Sequence, residues 1–134
     1  CQPNDGTIAH MGELSAETLK YKGVKGYIVD GGCRDVEFIK NLGFPVFCKY
    51  FTPSDVVCRW KITSLGEPIN IGGLKIKSGD YVLADIDGVV IIQNEIVEDV
   101  VKETEDYINT ESQLRKDILS GVDPKEAYLK YRVF

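Results

Sequence analysis

Two short apolar runs, Gly26 to Asp30 and Pro45 to Tyr50, enclose a helical pattern from Asp35 to Leu42. That order constrains the fold more than any other feature of the chain. Two strands joined through a helix pair in parallel, and the connection returns over one face of the sheet. Gly43 stands directly behind the helical pattern, where a helix commonly stops in the left-handed conformation. Between the first run and the helix lies Gly31-Gly32-Cys33-Arg34-Asp35, which reads as a tight glycine turn from strand to helix. The turn delivers a guanidinium and a carboxylate, side by side, to the end of a sheet. Arginine can grip a carboxylate or enolate with two parallel hydrogen bonds. Aspartate is a hard oxygen ligand suited to Mg2+. Taken alone, the pair also has an ordinary reading: the aspartate caps the helix and the arginine is a solvated charge.

The remaining chain is read from periodicity and turn chemistry. Thr7 to Met11 forms a short β-like lead, and Glu13 to Lys22 a helix opened near Gly12 and closed by Gly23. After Pro53, Val56 to Ile62 and Ile69 to Ile76 are rich in β-formers, with Gly72-Gly73 as a bend or bulge. Tyr81 to Ala84 and Val89 to Ile92 are strands joined by the hairpin signal Asp87-Gly88. Asn94 opens a long helix reaching about Leu119, with Val97, Val100, Val101, Ile108, Leu114 and Ile118 at helical spacing. Such a stripe means core or subunit packing, and no chemistry is assigned to it. Gly121 ends this helix, and Asp123-Pro124 starts a last short one. With no repeat, linker or low-complexity tract, residues 1–134 read as one domain.

A chain of 134 residues can bury a real core, and 43% apolar with 28% charged residues is ordinary globular composition. A net charge of −5 without a basic stripe argues against nucleic acid or an anionic membrane as partner. No apolar run approaches the ~18–20 residues that span a bilayer, and no secretory pattern is visible, so the expected compartment is the cytosol. Cys1, Cys33, Cys48 and Cys58 form no CxxC pair and His10 is the one histidine, which disfavours structural zinc. The thiols read as reduced core fillers. Neither GxGxxG nor a phosphate-binding loop is present, against a dehydrogenase or a nucleoside-cofactor enzyme.

Three groups could carry chemistry. Gly12-Glu13-Leu14-Ser15, if it opens a helix, offers free backbone N–H groups as a seat for a carboxylate; its plain reading is a helix start. Arg34-Asp35 is the second group. The third, Asp80, Asp85 and Asp87, is assigned to turns, with Asp85 ambiguous on a strand, and is kept out of the site.

Glu13 precedes Arg34 with twenty residues between, and the text around them reads GELSAETLKYKGVKGYIVDGGCRD, then GFPVF, then GDYVLADIDGVVII. This resembles the family of RraA-like proteins, regulators of ribonuclease activity, and 4-hydroxy-4-methyl-2-oxoglutarate aldolases. The resemblance covers nearly the whole chain. It implies an α/β fold, an αββα sandwich related to swivelling β/β/α domains with C-terminal helices, assembled as a homotrimer or hexamer. It also implies that the chain lacks the family's N-terminal part, about the first third, in keeping with a start at Cys1. The chain has Gln93 after its DGVVII strand, where the family commonly has proline.

The family divides into enzymes and non-catalytic regulators of RNase E, and the enzymes carry an acidic residue at the position of Glu13. The resemblance therefore implies a metal-dependent lyase acting on a short keto acid, by aldol cleavage or oxaloacetate decarboxylation through a pyruvate enolate. In it the backbone of Gly12, Glu13, Leu14 and Ser15 binds substrate, and Arg34 binds the keto acid and acts in catalysis with Glu13. Asp35 holds Mg2+, Mn2+ or another divalent ion. The regulator is the alternative.

Overall fold

In a computed structural model, which describes residues 1–133, the chain is a mixed α/β protein with C-terminal helices. The first three strands are β1 (Ala9–Met11), β2 (Tyr27–Cys33) and β3 (Val46–Phe51), paired in parallel in the order β1-β2-β3. Helix α1 (Glu13–Tyr21) connects the first two and α2 (Val36–Leu42) the second and third. Two consecutive strand–helix–strand units are therefore present, of which the sequence pattern announced the second.

Apolar spacing places both helices over the sheet. Ala16 of α1 and Ile39 of α2 meet Met11, Cys33 and Phe44 in one buried cluster, with Leu19, Leu42 and Val46 packed around it. Lys20 of α1 donates to the Leu42 carbonyl at the end of α2 (2.5 Å), where a cation meets the negative end of the helix dipole. Gly23 and Gly43 close the two helices with positive φ of 83° and 65°.

Strand β2 runs three residues further than its apolar pattern suggests, to Cys33. Gly31 and Gly32 lie inside the strand rather than in a turn, and the pairing register shifts on both sides of them. Their lack of a side chain is required by crowding. A Cβ on Gly31 would sit 2.5 Å from His10 Nδ1, and one on Gly32 would sit 2.6 Å from the Ile8 carbonyl and against the Tyr50 ring. The turn itself falls on Arg34 and Asp35, and Asp35 takes the left-handed conformation (φ 55°, ψ 38°).

Beyond the parallel sheet, β4 (Ile69–Ile71) and β5 (Leu74–Ile76) form an antiparallel hairpin. Its bend is made by Gly72 and Gly73, both at positive φ, the backbone of a tight two-residue turn. Strands β6 (Tyr81–Ala84) and β7 (Val89–Ile92) form the expected second pair. Val56 to Ile62 is not a strand: its β-formers are spent in a turn in which the Arg59 and Trp60 amides both donate to the Val56 carbonyl. Asn94 begins a single 3-10 turn to Ile96, and α3 proper is Val97–Leu119. Gly121 (φ 99°) ends it, and α4 (Pro124–Tyr131) follows, its first amides, from Lys125 and Glu126, capped by the Asp123 carboxylate.

By contact the chain divides into two compact units. The first takes Cys1–Asp80 with the hairpin tip Ala84–Val89; the second takes Tyr81–Leu83 and the chain from Val90 onward. All the candidate site residues belong to the first.

Candidate active site

In a parallel sheet all strands end on the same edge, so the segments that follow them gather there, and ligands of open α/β folds bind at that edge. Gly12 follows β1, Arg34 and Asp35 follow β2, and Asp55 lies shortly after β3. The main chain locks these ends together. The Arg34 amide donates to the Met11 carbonyl at 2.9 Å, and the Thr52 amide donates to the Cys33 carbonyl at 3.0 Å.

The Asp35 carboxylate stands at the head of α2 but does not cap it. Its Oδ2 instead accepts the backbone amide of Glu13, at 3.1 Å, the first residue of α1. One aspartate thus begins one helix with its backbone and caps another with its side chain. The same Oδ2 lies 3.5 Å from Arg34 Nε. Both contacts fall on Oδ2, and the side chain is 36% exposed.

Gly12 is buried beneath this pair. A Cβ there would lie 2.9 Å from both Arg34 Nε and Asp35 Oδ2, so only glycine lets the first helix start so close to the guanidinium and carboxylate. Its backbone is extended (φ −140°, ψ −179°), and close approach, not turn strain, is the reason for the glycine. Leu14 and Ser15 follow on the exposed first turn of α1, where backbone N–H groups point out of the helix with its positive dipole end.

The other end of the guanidinium is held by Asp55, whose Oδ2 accepts Arg34 Nη1 at 2.5 Å. Its second oxygen, Oδ1, accepts the Val57 amide at 2.8 Å. These two bonds, the Val57 amide first, hold the Asp55 carboxyl below its usual range. Asp55 was not among the residues singled out from sequence. The available signal was an acidic residue in the Pro53-Ser54-Asp55 turn directly beyond the third strand, visible only once that strand is known to be parallel.

Of the residues expected to act together, the structure gathers the Gly12 backbone, the Glu13 amide, Arg34 and Asp35. Glu13 meets the pair through its main chain, and its half-buried carboxylate makes no hydrogen bond or ion pair with it. The acidic set Asp80, Asp85 and Asp87 has turn roles. Asp80 Oδ2 accepts the Lys77 amide, and Asp85 Oδ1 accepts the amides of Asp87 and Gly88. Cys33 fills core space at 2% exposure, and burial pushes its thiol up to about 11. Cys58, by contrast, is exposed.

Among the described residues, no group of three or more His, Cys, Asp or Glu side chains converges as a metal cage. A hard cation such as Mg2+ needs no such cage, since it binds through one or two carboxylates and keeps several waters. The part-exposed carboxylate of Asp35, with both of its contacts on one oxygen, fits that demand.

A parallel sheet thus carries at its carboxyl edge a glycine-backed Arg-Asp pair with an open helix start beside it. The chain belongs to the RraA-like family, whose model, described as Aldolase/RraA, matches residues 2–91. It is 36% identical over 121 residues to an uncharacterised protein of Methanocaldococcus jannaschii, covering 88% of this chain and 56% of that protein. It is 32% identical over 129 residues to a Halalkalibacterium halodurans protein provisionally named a 4-hydroxy-4-methyl-2-oxoglutarate aldolase, covering 94% and 60%. The solved structure of Streptomyces coelicolor RraAS2, described as an unusual member of the RNase ES inhibitor RraA family, superposes with a TM-score of 0.71. Its identity is 27%, and the match covers 82% of this chain and 56% of that one. The chain thus spans less than two thirds of the length of the proteins it matches. Among the described residues no helix is long and apolar enough to cross a membrane.

Proposed function

We propose that this chain carries the site of a divalent-metal-dependent lyase that releases pyruvate from a short keto acid, by aldol cleavage of 4-hydroxy-4-methyl-2-oxoglutarate or decarboxylation of oxaloacetate. The observation that supports it most is the joint placement of Arg34 and Asp35 against Gly12 and the start of α1. Relatives provisionally named as aldolases point the same way.

In this reading Arg34 binds a substrate carboxylate, and the exposed N–H groups of Leu14 and Ser15 bind a second acidic group at the positive end of α1. A divalent ion on Asp35 would supply Lewis-acid polarisation of the keto group. Arg34 then stabilises the negative charge that grows on the keto-acid fragment as the carbon–carbon bond breaks, more in the transition state than in the ground state. Aldol cleavage also needs the C4 hydroxyl proton removed. Glu13, at the mouth of the site, takes it directly or through a water. The electron pair of the broken C3–C4 bond passes into the enolate, and protonation of that enolate at carbon gives pyruvate.

The test is pyruvate release from either acid with Mg2+ and after EDTA. Metal-dependent release is expected; equal rates under the two conditions would refute the mechanism. A second reading, a binding regulator of RNase E, is favoured by the likeness to the Streptomyces protein. Capture of RNase E at physiological salt, without pyruvate release, would select it. A homotrimer or hexamer working in the cytosol is part of the proposal for the lyase.

A further inference from the structure

We infer that Asp55 is the positioning residue of Arg34, holding the guanidinium in the orientation that receives a substrate carboxylate. The inference rests on the keto-acid reading and deepens it. An arginine side chain at a sheet edge has many rotamers, and a bidentate grip uses one of them. Here the fork is fixed at two points: Nη1 on Asp55 Oδ2 at 2.5 Å and Nε near Asp35 Oδ2 at 3.5 Å. Nη1 is hydrogen-bonded to Asp55 and Nε lies in an ion pair with Asp35, which leaves the N–H groups of Nη2 for a ligand.

Asp55 can serve as a brace because it is itself held. Its Oδ1 accepts the Val57 amide at 2.8 Å. The preceding carbonyl, of Ser54, accepts the Ala9 amide of β1 at 2.9 Å, and Thr52 is bonded to the end of β2. The loop after the third strand is thereby stitched to the start of the first strand and the end of the second. The Arg34 and Asp55 side chains are 37% and 45% exposed. A pair so open to water adds little to stability, so what it contributes is orientation. Its carboxyl, held below the usual range by the Val57 amide and Arg34, stays charged at neutral pH.

Asp55→Asn breaks the brace selectively, because the amide oxygen can keep the Val57 bond while the amide nitrogen faces Arg34. Asp55→Ser, whose hydroxyl can also take the Val57 amide, is the second variant. In both, kcat/KM for the keto acid should fall at least roughly tenfold, through KM and kcat together, because Arg34 both binds the substrate and stabilises the transition state. Repeating Asp55→Asn in an Arg34→Lys background should change kcat/KM by less than about twofold, since residues acting through one another are non-additive. An undiminished effect in that background, or an unchanged kcat/KM in both single variants, overturns the inference.

A readout free of turnover is the 15N signal of Arg34 Nε–H in the ligand-free protein. It should be sharp and slowly exchanging in the parent and fast-exchanging in both variants; an unchanged signal also overturns the brace. Should the parent release no pyruvate while the Arg34 signal responds as expected, the lyase reading fails and the brace stands.

Discussion

Asp35 occupies a left-handed backbone position that costs most L-residues about 1–2 kcal/mol, and asparagine and aspartate tolerate it best. Asparagine at this position would keep both the backbone conformation and an oxygen to accept the Glu13 amide. Asp35→Asn is therefore expected to melt within a few degrees of the parent, while Mg2+-dependent pyruvate release falls more than about a hundredfold through loss of the anionic ligand. Thermal melts and the pyruvate assay read the two effects separately, and retained metal-dependent turnover would refute the ligand role. This residue also shows what the sequence can and cannot disclose. That Arg34 and Asp35 act as a pair is legible because they are adjacent. That the carboxylate caps α1 rather than α2 is not, since the choice depends on two strands lying side by side. Asp55 is harder still, because its link to Arg34 exists only after β3 has paired. Gly31 and Gly32 read as a turn because glycine usually marks one; here they answer the bulk of His10 and Tyr50.

At the level of elements, local chemistry predicts best where the element is self-contained. The Asp87-Gly88 hairpin and the Asp123-Pro124 helix start both follow from a few adjacent residues. Val56 to Ile62 misleads because β-propensity reflects packing on a sheet, and this segment pairs with none. The α3 stripe is only partly a core face: Leu114 is buried, whereas Val101 and Ile108 are about half exposed. Helices α3 and α4 are clasped by Asp117, which accepts from Lys130 Nζ at 2.8 Å and from the Tyr131 hydroxyl at 3.0 Å. Lys130, then Tyr131, holds the Asp117 carboxyl below its ordinary 3.8. A depressed carboxyl stabilises the fold above the unfolded-state value, and that contribution is lost as pH falls through the folded one. Melting of the C-terminal helices, followed by circular dichroism, should drop between pH 5 and pH 3 more steeply in the parent than in Asp117→Asn. Parallel curves for the two proteins would remove the clasp from the account.

For the whole molecule, the notable quantity is uncovered apolar surface. Leu65, Leu83, Ile86 and Leu119 are all more than two-thirds exposed. Exposed apolar residues taken singly are normal on a monomer, so the assembly has to be measured directly. With the proposed trimer or hexamer, light scattering at tens of micromolar should give three or six times the 15.0 kDa chain mass; a single-chain mass would remove assembly from the proposal. The parallel order of the first three strands has a consequence in time as well. Gly12, Arg34 and Asp55 come from three separate stretches, so their meeting awaits closure of both helical crossovers, and such non-local pairing is slow. During refolding, the Arg34–Asp55 contact should form with the last of the sheet. If the proposed keto acid binds that edge, it binds the finished protein alone and shifts the folding equilibrium by mass action. In a crowded cell, abundant substrate would protect newly made chains from degradation, so the amount of this protein would follow the supply of its own ligand.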